Sequence, residues 1–270
     1  MLRAATDELK SAGVPEAELN AWYLLSKAGS GMDRAFFMLH RDETCDSEVA
    51  LQLGRLVETR KKGVPLEYIT HETEFMGIRL YIDEGVLIPR QDTECLAEEA
   101  LRYSRGADIL DMCTGSGCIA ISLALLGDPE SVSASDISDR ALEIAKKNAC
   151  DNHADITFIQ GDMWENITSG YDLITCNPPY IRSDVIPTLM REVREHEPVT
   201  ALDGGEDGLE FYRRIMAGVG SFLRENGHLV METGCDQGEA VAALADKAGF
   251  GSVSIIKDLA GLDRVVSAAR

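Results

Sequence analysis

The chain has no apolar run long enough to cross a bilayer: its longest, around Ile119–Leu126, is far short of the roughly 20 residues a spanning helix needs. The first twenty residues carry Asp7, Glu8, Glu16 and Glu18 and hold no apolar core of a secretory signal, so a cytoplasmic location is expected. Paired cysteines are missing as well. The seven present are an odd number without a CxxC or a Cys/His cluster, which argues against a disulfide framework and a zinc site; reduced and mostly buried thiols are expected. His40, His71, His153, His196 and His228 stand too far apart for an HExxH-type site, and no metal is expected. Positive charge is also short, with 26 Lys and Arg against 46 Asp and Glu. A protein that neutralises many phosphates has the opposite balance, so bulk nucleic acid is not the expected partner.

What is present is ordinary for a globular protein with a core: 45% hydrophobic and 27% charged residues. At 270 residues, one large domain with a smaller appendage is expected. Ala17–Leu25, Met32–Leu39 and Ser47–Lys61 have apolar residues at three- and four-residue spacing, punctuated at Gly13-Val14-Pro15, Gly29–Gly31 and Gly63-Val64-Pro65. Residues 1–69 therefore read as a small helical domain for docking or recognition. Short β-prone runs, Phe75-Met76 and Arg79–Ile82, surround Gly77 and suggest a hairpin within a linker of residues 70–85.

Residues 86–270 alternate strands with helices. Expected strands are Ile109–Met112, Val132–Ser135, Ile156–Ile159, Tyr171–Cys176, His228–Glu232, Val253–Lys257 and Val265–Ser267; expected helices are Cys118–Leu126, Asp139–Cys150 (capped by Ser138), Gly208–Leu223 and Gln237–Ala248. Such alternation specifies an α/β, Rossmann-like, mostly parallel sheet covered on both faces. Ligands in these folds bind beyond the carboxyl ends of the strands.

Four of those ends carry chemistry. The first runs through Asp111-Met112-Cys113-Thr114-Gly115-Ser116-Gly117 straight into a helix, where glycines permit a tight turn and the helix N-terminus favours acceptors. A nucleotide-like cofactor is implied, although Gly115–Ala120 also fits a dinucleotide fingerprint. Asp136, ending the second strand, suits ribose hydroxyls, or else caps a helix. Asp162 and Met163, after the third, suit an adenine amino group and its ring. Asn177-Pro178-Pro179-Tyr180 follows the fourth; two prolines fix φ and leave the Pro178 carbonyl outside any ladder. The Asn177 oxygen and that carbonyl can accept both N–H bonds of a planar amide or aromatic amine and aim its nitrogen at a sulfonium methyl, with Tyr180 stacked on the plane.

With these residues the sequence resembles the release factor glutamine methyltransferases (HemK/PrmC-type) over nearly its whole length. The likeness runs through Gly63–Ile69, Phe75-Met76-Gly77, Val86–Arg90 with Asp92-Thr93-Glu94, the glycine loop, Asn177–Tyr180, Glu197-Pro198 with Ala201-Leu202, and Gly261–Val265. The resemblance implies an N-terminal helical bundle, a β-hairpin linker and a seven-stranded class I methyltransferase domain with an antiparallel last strand. It implies methyl transfer from S-adenosyl-L-methionine, leaving S-adenosyl-L-homocysteine, to the Gly-Gly-Gln glutamine of class-I peptide chain release factors. Cys113, Thr114, Gly115, Ser116, Gly117, Asp136, Asp162, Met163 and Asn177 would then face the cofactor, and Asn177, Pro178, Pro179 and Tyr180 the glutamine, with Asn177, Pro178 and Tyr180 catalytic. A monomer acting on protein, with no nucleic acid or membrane partner, is expected. Cys113 and His71 stand where the family favours glycine, Met163 where it favours leucine or tryptophan, and His196 where it favours phenylalanine. The residues leave two other readings open: methylation of adenine or cytosine amines in nucleic acid, which present a similar planar nitrogen, and an NAD-binding or non-catalytic module.

Overall fold

Apolar spacing of three and four residues produces the helices of the first part of the chain: α1 (Leu2–Ser11), α2 (Ala17–Ala28), α3 (Arg34–His40), α4 (Ser47–Lys61) and the short α5 (Leu66–Thr70). The computed structural model describes residues 1–40 and 46–270. Two compact units divide the chain, one of residues 1–72 with 190–196, the other of residues 73–189 with 197–270. In the first unit Leu9, Leu24, Leu25, Leu53 and Val57 form one buried cluster. Burying each such side chain stabilises by roughly 1.5–3 kcal/mol. The Asp46 carboxylate caps α4 by accepting from the Glu48 N–H at 2.8 Å.

Arg60 is the polar centre of this unit and is only 5% exposed. Its Nε donates to Asn20 Oδ1 at 2.7 Å, one Nη donates to the Val64 carbonyl at 3.0 Å, and the other pairs with Glu192 at 2.7 Å. The last contact comes from α9 (Arg191–His196), so a segment far along the sequence completes the helical unit. Neither that return nor α1 is among the sequence expectations.

The second unit opens with a hairpin, β1 (Thr73–Phe75) and β2 (Ile78–Leu80), turned by Met76 and Gly77 at positive φ. Then come α6 (Glu94–Leu101), β3 (Asp108–Met112), α7 (Cys118–Leu126), β4 (Ser131–Asp136), α8 (Asp139–Asp151), β5 (Thr157–Gln160), β6 (Tyr171–Cys176), α10 (Glu210–Phe222), β7 (Leu223–Glu232), α11 (Gly238–Lys247), β8 (Ser252–Lys257) and β9 (Asp263–Ala269). One sheet holds seven strands in the order β5-β4-β3-β6-β7-β9-β8, all parallel except β9. Alternation along β3 sends Ile109 into the cluster that includes α6 and α7, and Leu110 with Met112 into the one that includes Tyr212 and Ile215 of α10. The expected strands and helices of this unit are all present. β7 starts five residues before its expected start, because Leu223 pairs with Tyr171 across an irregularity in the ladder.

Register decides where the loops meet. Met112 sits opposite Ser135 on one side and Cys176 on the other, and Asp136 opposite Gln160. The segments that follow β3, β4, β5 and β6 therefore leave from one edge of the sheet. Among the described residues no helix is long and apolar enough to cross a membrane. Cys45 lies outside them; of the other cysteines Cys118 and Cys176 are buried, Cys95 and Cys113 half-buried, and Cys150 and Cys235 exposed. Cysteine burial is thus lower than the sequence suggests, since Cys150 falls on the outer end of α8 and Cys235 in the turn after β7.

Candidate active site

The loop after β3 alternates left-handed residues: Cys113 (φ +57°), Gly115 (φ +55°) and Gly117 (φ +83°). Gly117 caps α7 without a side-chain cap, and in the first turn of the helix the Ala120 N–H is taken by the buried Asp111 carboxylate. A Cβ built at Gly117 would lie 3.1 Å from Cβ of Ala145, whereas one at Gly115 would meet nothing within 4 Å. The first glycine permits close packing of the loop on α8; the second leaves space. Cys113, flagged as a departure from glycine, occupies a backbone conformation that a Cβ strains by about 1–2 kcal/mol.

Asp111 braces the loop from below. It is wholly buried, accepting from the Thr114 hydroxyl at 2.6 Å and the Thr175 hydroxyl at 2.8 Å. Burial pushes its carboxyl up to about 6. Asp136 accepts from the Gly115 N–H through one oxygen and from the Ser138 N–H through the other, both at 2.9 Å. Burial raises its pKa too. The Ile137 N–H also bonds to this carboxylate, whose remaining acceptor capacity suits a ribose hydroxyl. The helix cap at this corner is Ser138, which accepts from the Ala141 N–H at 3.2 Å.

Thr114, Gly115, Asp136 and Ser138 of this corner line one cavity of about 250 Å³. Of the residues singled out from sequence, Cys113, Thr114, Gly115, Ser116, Asp136, Asp162, Met163, Asn177 and Pro179 line it. Gly117, Pro178 and Tyr180 do not. Asp162 forms an ion pair with Arg214 at 2.7 Å; both are well exposed, so the pair contributes little. Met163 is buried in the left-handed region (φ +56°).

The Asn-Pro-Pro-Tyr corner is stitched to the segment 202–204. The Ile181 N–H donates to the Leu202 carbonyl at 2.9 Å and the Gly204 N–H to the Ile181 carbonyl at 2.8 Å. A Cβ on Gly204 would fall 2.6 Å from Cα of Tyr180, so only glycine lets the two backbones approach this closely. The Tyr180 phenol donates to Glu232 Oε1 at 3.0 Å. Burial, then the adjoining Glu232 charge, raises its pKa, and it remains a donor.

Sequence reasoning gave no role to several wall residues. Val86, Leu87, Pro89 and Thr93 come from the stretch quoted for the family likeness, and Thr200, Ala201, Phe211 and Arg214 from after the corner. Glu197, almost fully buried, holds two of these segments together: it accepts from the Ile88 N–H at 3.2 Å and pairs with Arg90. A buried carboxylate spanning that distance in sequence leaves no local pattern.

Comparison with known proteins gives two family matches, the PrmC N-terminal domain over residues 1–70 and the methyltransferase small domain over residues 91–196. The chain is 37% identical, over all of its length and 95% of the other, to a release factor glutamine methyltransferase of Clostridium acetobutylicum. It is 39% identical, over all of its length and 96% of the other, to one of Agrobacterium fabrum. Among solved structures, a methyltransferase from Pyrococcus furiosus superposes with a TM-score of 0.57 at 16% identity, over 72% of this chain and 90% of that one. A T. thermophilus 16S rRNA N2 G1207 methyltransferase, in complex with AdoMet and guanosine, superposes with a TM-score of 0.52 at 16% identity, over 74% and 49%. These two likenesses establish the class I methyltransferase fold.

Proposed function

The chain belongs to the release factor glutamine methyltransferase family, and from that premise we propose that it methylates the side-chain amide nitrogen of the Gly-Gly-Gln glutamine in class-I release factors, using S-adenosyl-L-methionine. One observation carries the chemistry: Asn177 and Pro179 border the same cavity as the glycine loop and Asp136. A group accepting from a planar amide and a cradle suited to a nucleoside thus share one space.

The residues present fit that cofactor. Open space at Gly115 admits a ligand against the backbone, the Asp136 carboxylate keeps acceptor capacity for a ribose hydroxyl, and Met163 offers an apolar surface to a ring. When bound, S-adenosylmethionine supplies an electrophilic methyl on a sulfonium.

An amide nitrogen is a weak nucleophile because its lone pair is delocalised. Asn177 Oδ1, at the cavity wall, accepts one of its N–H bonds and orients that lone pair toward the methyl carbon; the Pro178 carbonyl, expected to accept the other, belongs to a residue that does not line the cavity. Fixed acceptors of this kind need no reorganisation during transfer, and the enclosed cavity limits water around the dispersing charge. Tyr180 serves the site by holding the corner through Glu232. On this reading the helical region recognises the protein substrate, the hairpin links it to the catalytic domain, and the enzyme acts as a cytoplasmic monomer.

Mass spectrometry of a purified class-I release factor incubated with the protein and S-adenosylmethionine is expected to show one added methylene on the tripeptide glutamine. Methyl incorporation into DNA or RNA and none into protein would overturn the assignment. So would an inert release factor in the presence of protein that binds the cofactor in calorimetry.

A further inference from the structure

The turn that follows β7 carries a carboxamide whose donor and acceptor ends are both spent on loops. Gln237 stands at the N-cap of α11, a place where Ser, Thr, Asp or Asn serve a helix by accepting one of its free N–H groups. Gln237 makes no such bond. Its side chain turns back instead and is buried. Nε2 donates to the Tyr180 carbonyl at 2.9 Å and to the Gly208 carbonyl at 3.2 Å, while Oε1 accepts from the Gly234 N–H at 3.0 Å. A main-chain carbonyl only accepts and a main-chain N–H only donates, so these three partners fix which end of the carboxamide faces which loop.

Tyr180 is thereby held at both ends from one side. Its carbonyl is taken by Gln237 and its phenol by Oε1 of Glu232, the last residue of β7. Gly208 lets the backbone pass close to that carbonyl: a Cβ there would fall 2.5 Å from both the Tyr180 oxygen and Gln237 Nε2. Between Tyr180 and Asn177 stand only Pro178 and Pro179, whose rings lock φ. A corner this stiff carries the setting of its last carbonyl to its first side chain. Asn177 borders the cavity, whereas Tyr180 and Gln237 do not.

We propose that Gln237 is a positioning residue for methyl transfer: its carboxamide sets the Tyr180 carbonyl and, through the two prolines, the angle at which Asn177 meets the substrate amide. This rests on the reaction proposed above and adds to it a residue from outside the cavity, acting through Asn177. Transfer between oriented groups tolerates little displacement, and a shift of about 1 Å costs on the order of 100-fold in rate. The cofactor cradle, built on the loops after β3, β4 and β5, does not depend on this carboxamide.

The experiment is a set of substitutions in the full chain, assayed on a release factor at saturating cofactor and well below each variant's Tm, with cofactor affinity measured by calorimetry. Gln237→Glu keeps the length of the side chain and an oxygen for Gly234, but sets its other oxygen against the two carbonyls. It is expected to lower kcat by about 10- to 100-fold and to leave the cofactor Kd within about twofold. Gly208→Ala, which wedges a methyl between the same partners, is expected to show the same split. In an Asn177→Ala background, Gln237→Glu is expected to cost less than about twofold more, because residues acting in one chain are not additive. If Gln237→Glu does not fold, Gln237→Met, which removes the donor without adding charge, reads the same way. Three results overturn the proposal: a kcat for the glutamate variant within about twofold of wild type, a cofactor affinity that weakens as much as kcat falls, or a full additional loss on top of Asn177→Ala. Wild-type protein that leaves the glutamine unmethylated sinks the reaction itself instead.

Discussion

Gly115 and Gly117 differ by two positions and separate cofactor binding from folding. Alanine at Gly117 meets two costs. Its left-handed φ of +83° costs a Cβ about 1–2 kcal/mol. Crowding adds about 1–3 kcal/mol, because the new methyl lies 3.1 Å from Ala145 Cβ and 3.2 Å from Ile121 Cδ1. Reduced freedom of the unfolded chain returns about 0.4–1 kcal/mol, so the net loss is about 1–5 kcal/mol. For a unit of this size that lowers Tm by on the order of 10 °C. Alanine at Gly115 meets only the backbone cost, a net loss below about 1.5 kcal/mol, since its methyl enters open space. That space belongs to the cavity, so the methyl is expected to weaken S-adenosylmethionine at least about tenfold, or 1.4 kcal/mol. Thermal melts without ligand, paired with calorimetric titration, read the two effects independently. Gly115→Ala protein that binds cofactor like wild type, or melts as low as Gly117→Ala, would refute the assignment of the open glycine to the cofactor.

Three further outcomes follow from buried groups. Asp111, pushed up to about 6 from an ordinary carboxylate value, binds its proton more readily folded than unfolded. Its charge is therefore a cost on the order of 3 kcal/mol, absent at low pH and fully present above about 6; between about pH 4 and 6 denaturant midpoints should decline relative to those of Asp111→Asn, and parallel curves for the two proteins would contradict this. Gly204→Ala, driven against the Tyr180 backbone, is expected to shift the corner, costing about 1–3 kcal/mol of stability and lowering kcat more than cofactor affinity, as steady-state kinetics and titration can compare. Arg60→Ala leaves Glu192 and the Asn20 oxygen without their buried partner and should destabilise the helical unit by about 3–5 kcal/mol, seen as lost protection in hydrogen exchange of α2 and α4.

Legibility from sequence followed the range of the interactions. Strands and helices of the sheet unit, each with a strong local period, agree in existence and type; Cys118–Leu126, Tyr171–Cys176 and Ser47–Lys61 agree in their bounds as well. Of the missed helices, α5, α6 and α9 are short, and α9 is held by a partner more than a hundred residues away. Site residues in strand-end loops were readable because glycine and proline impose backbone geometry directly. Cys113 and His71, noted as lacking the family's glycine, both lie at φ +57°. The Tyr180 phenol donates to Glu232, 52 positions later, a partner that no local pattern in the sequence announces. Thr93 and Glu197 could not be ranked, since their partners Asn177 and Ile88 are close only after folding.

The Arg60–Glu192 pair bears on the order in which the nascent chain can mature. Helices α1 to α5 are made before α9 and can collapse on their apolar cluster, but the guanidinium at its centre waits for its counter-charge until more than a hundred further residues have been added. A fragment ending at residue 72 would keep a sequestered cation that lacks its carboxylate. Vectorial synthesis thus lets this helical region emerge ahead of the sheet unit yet settle no sooner than α9 is made.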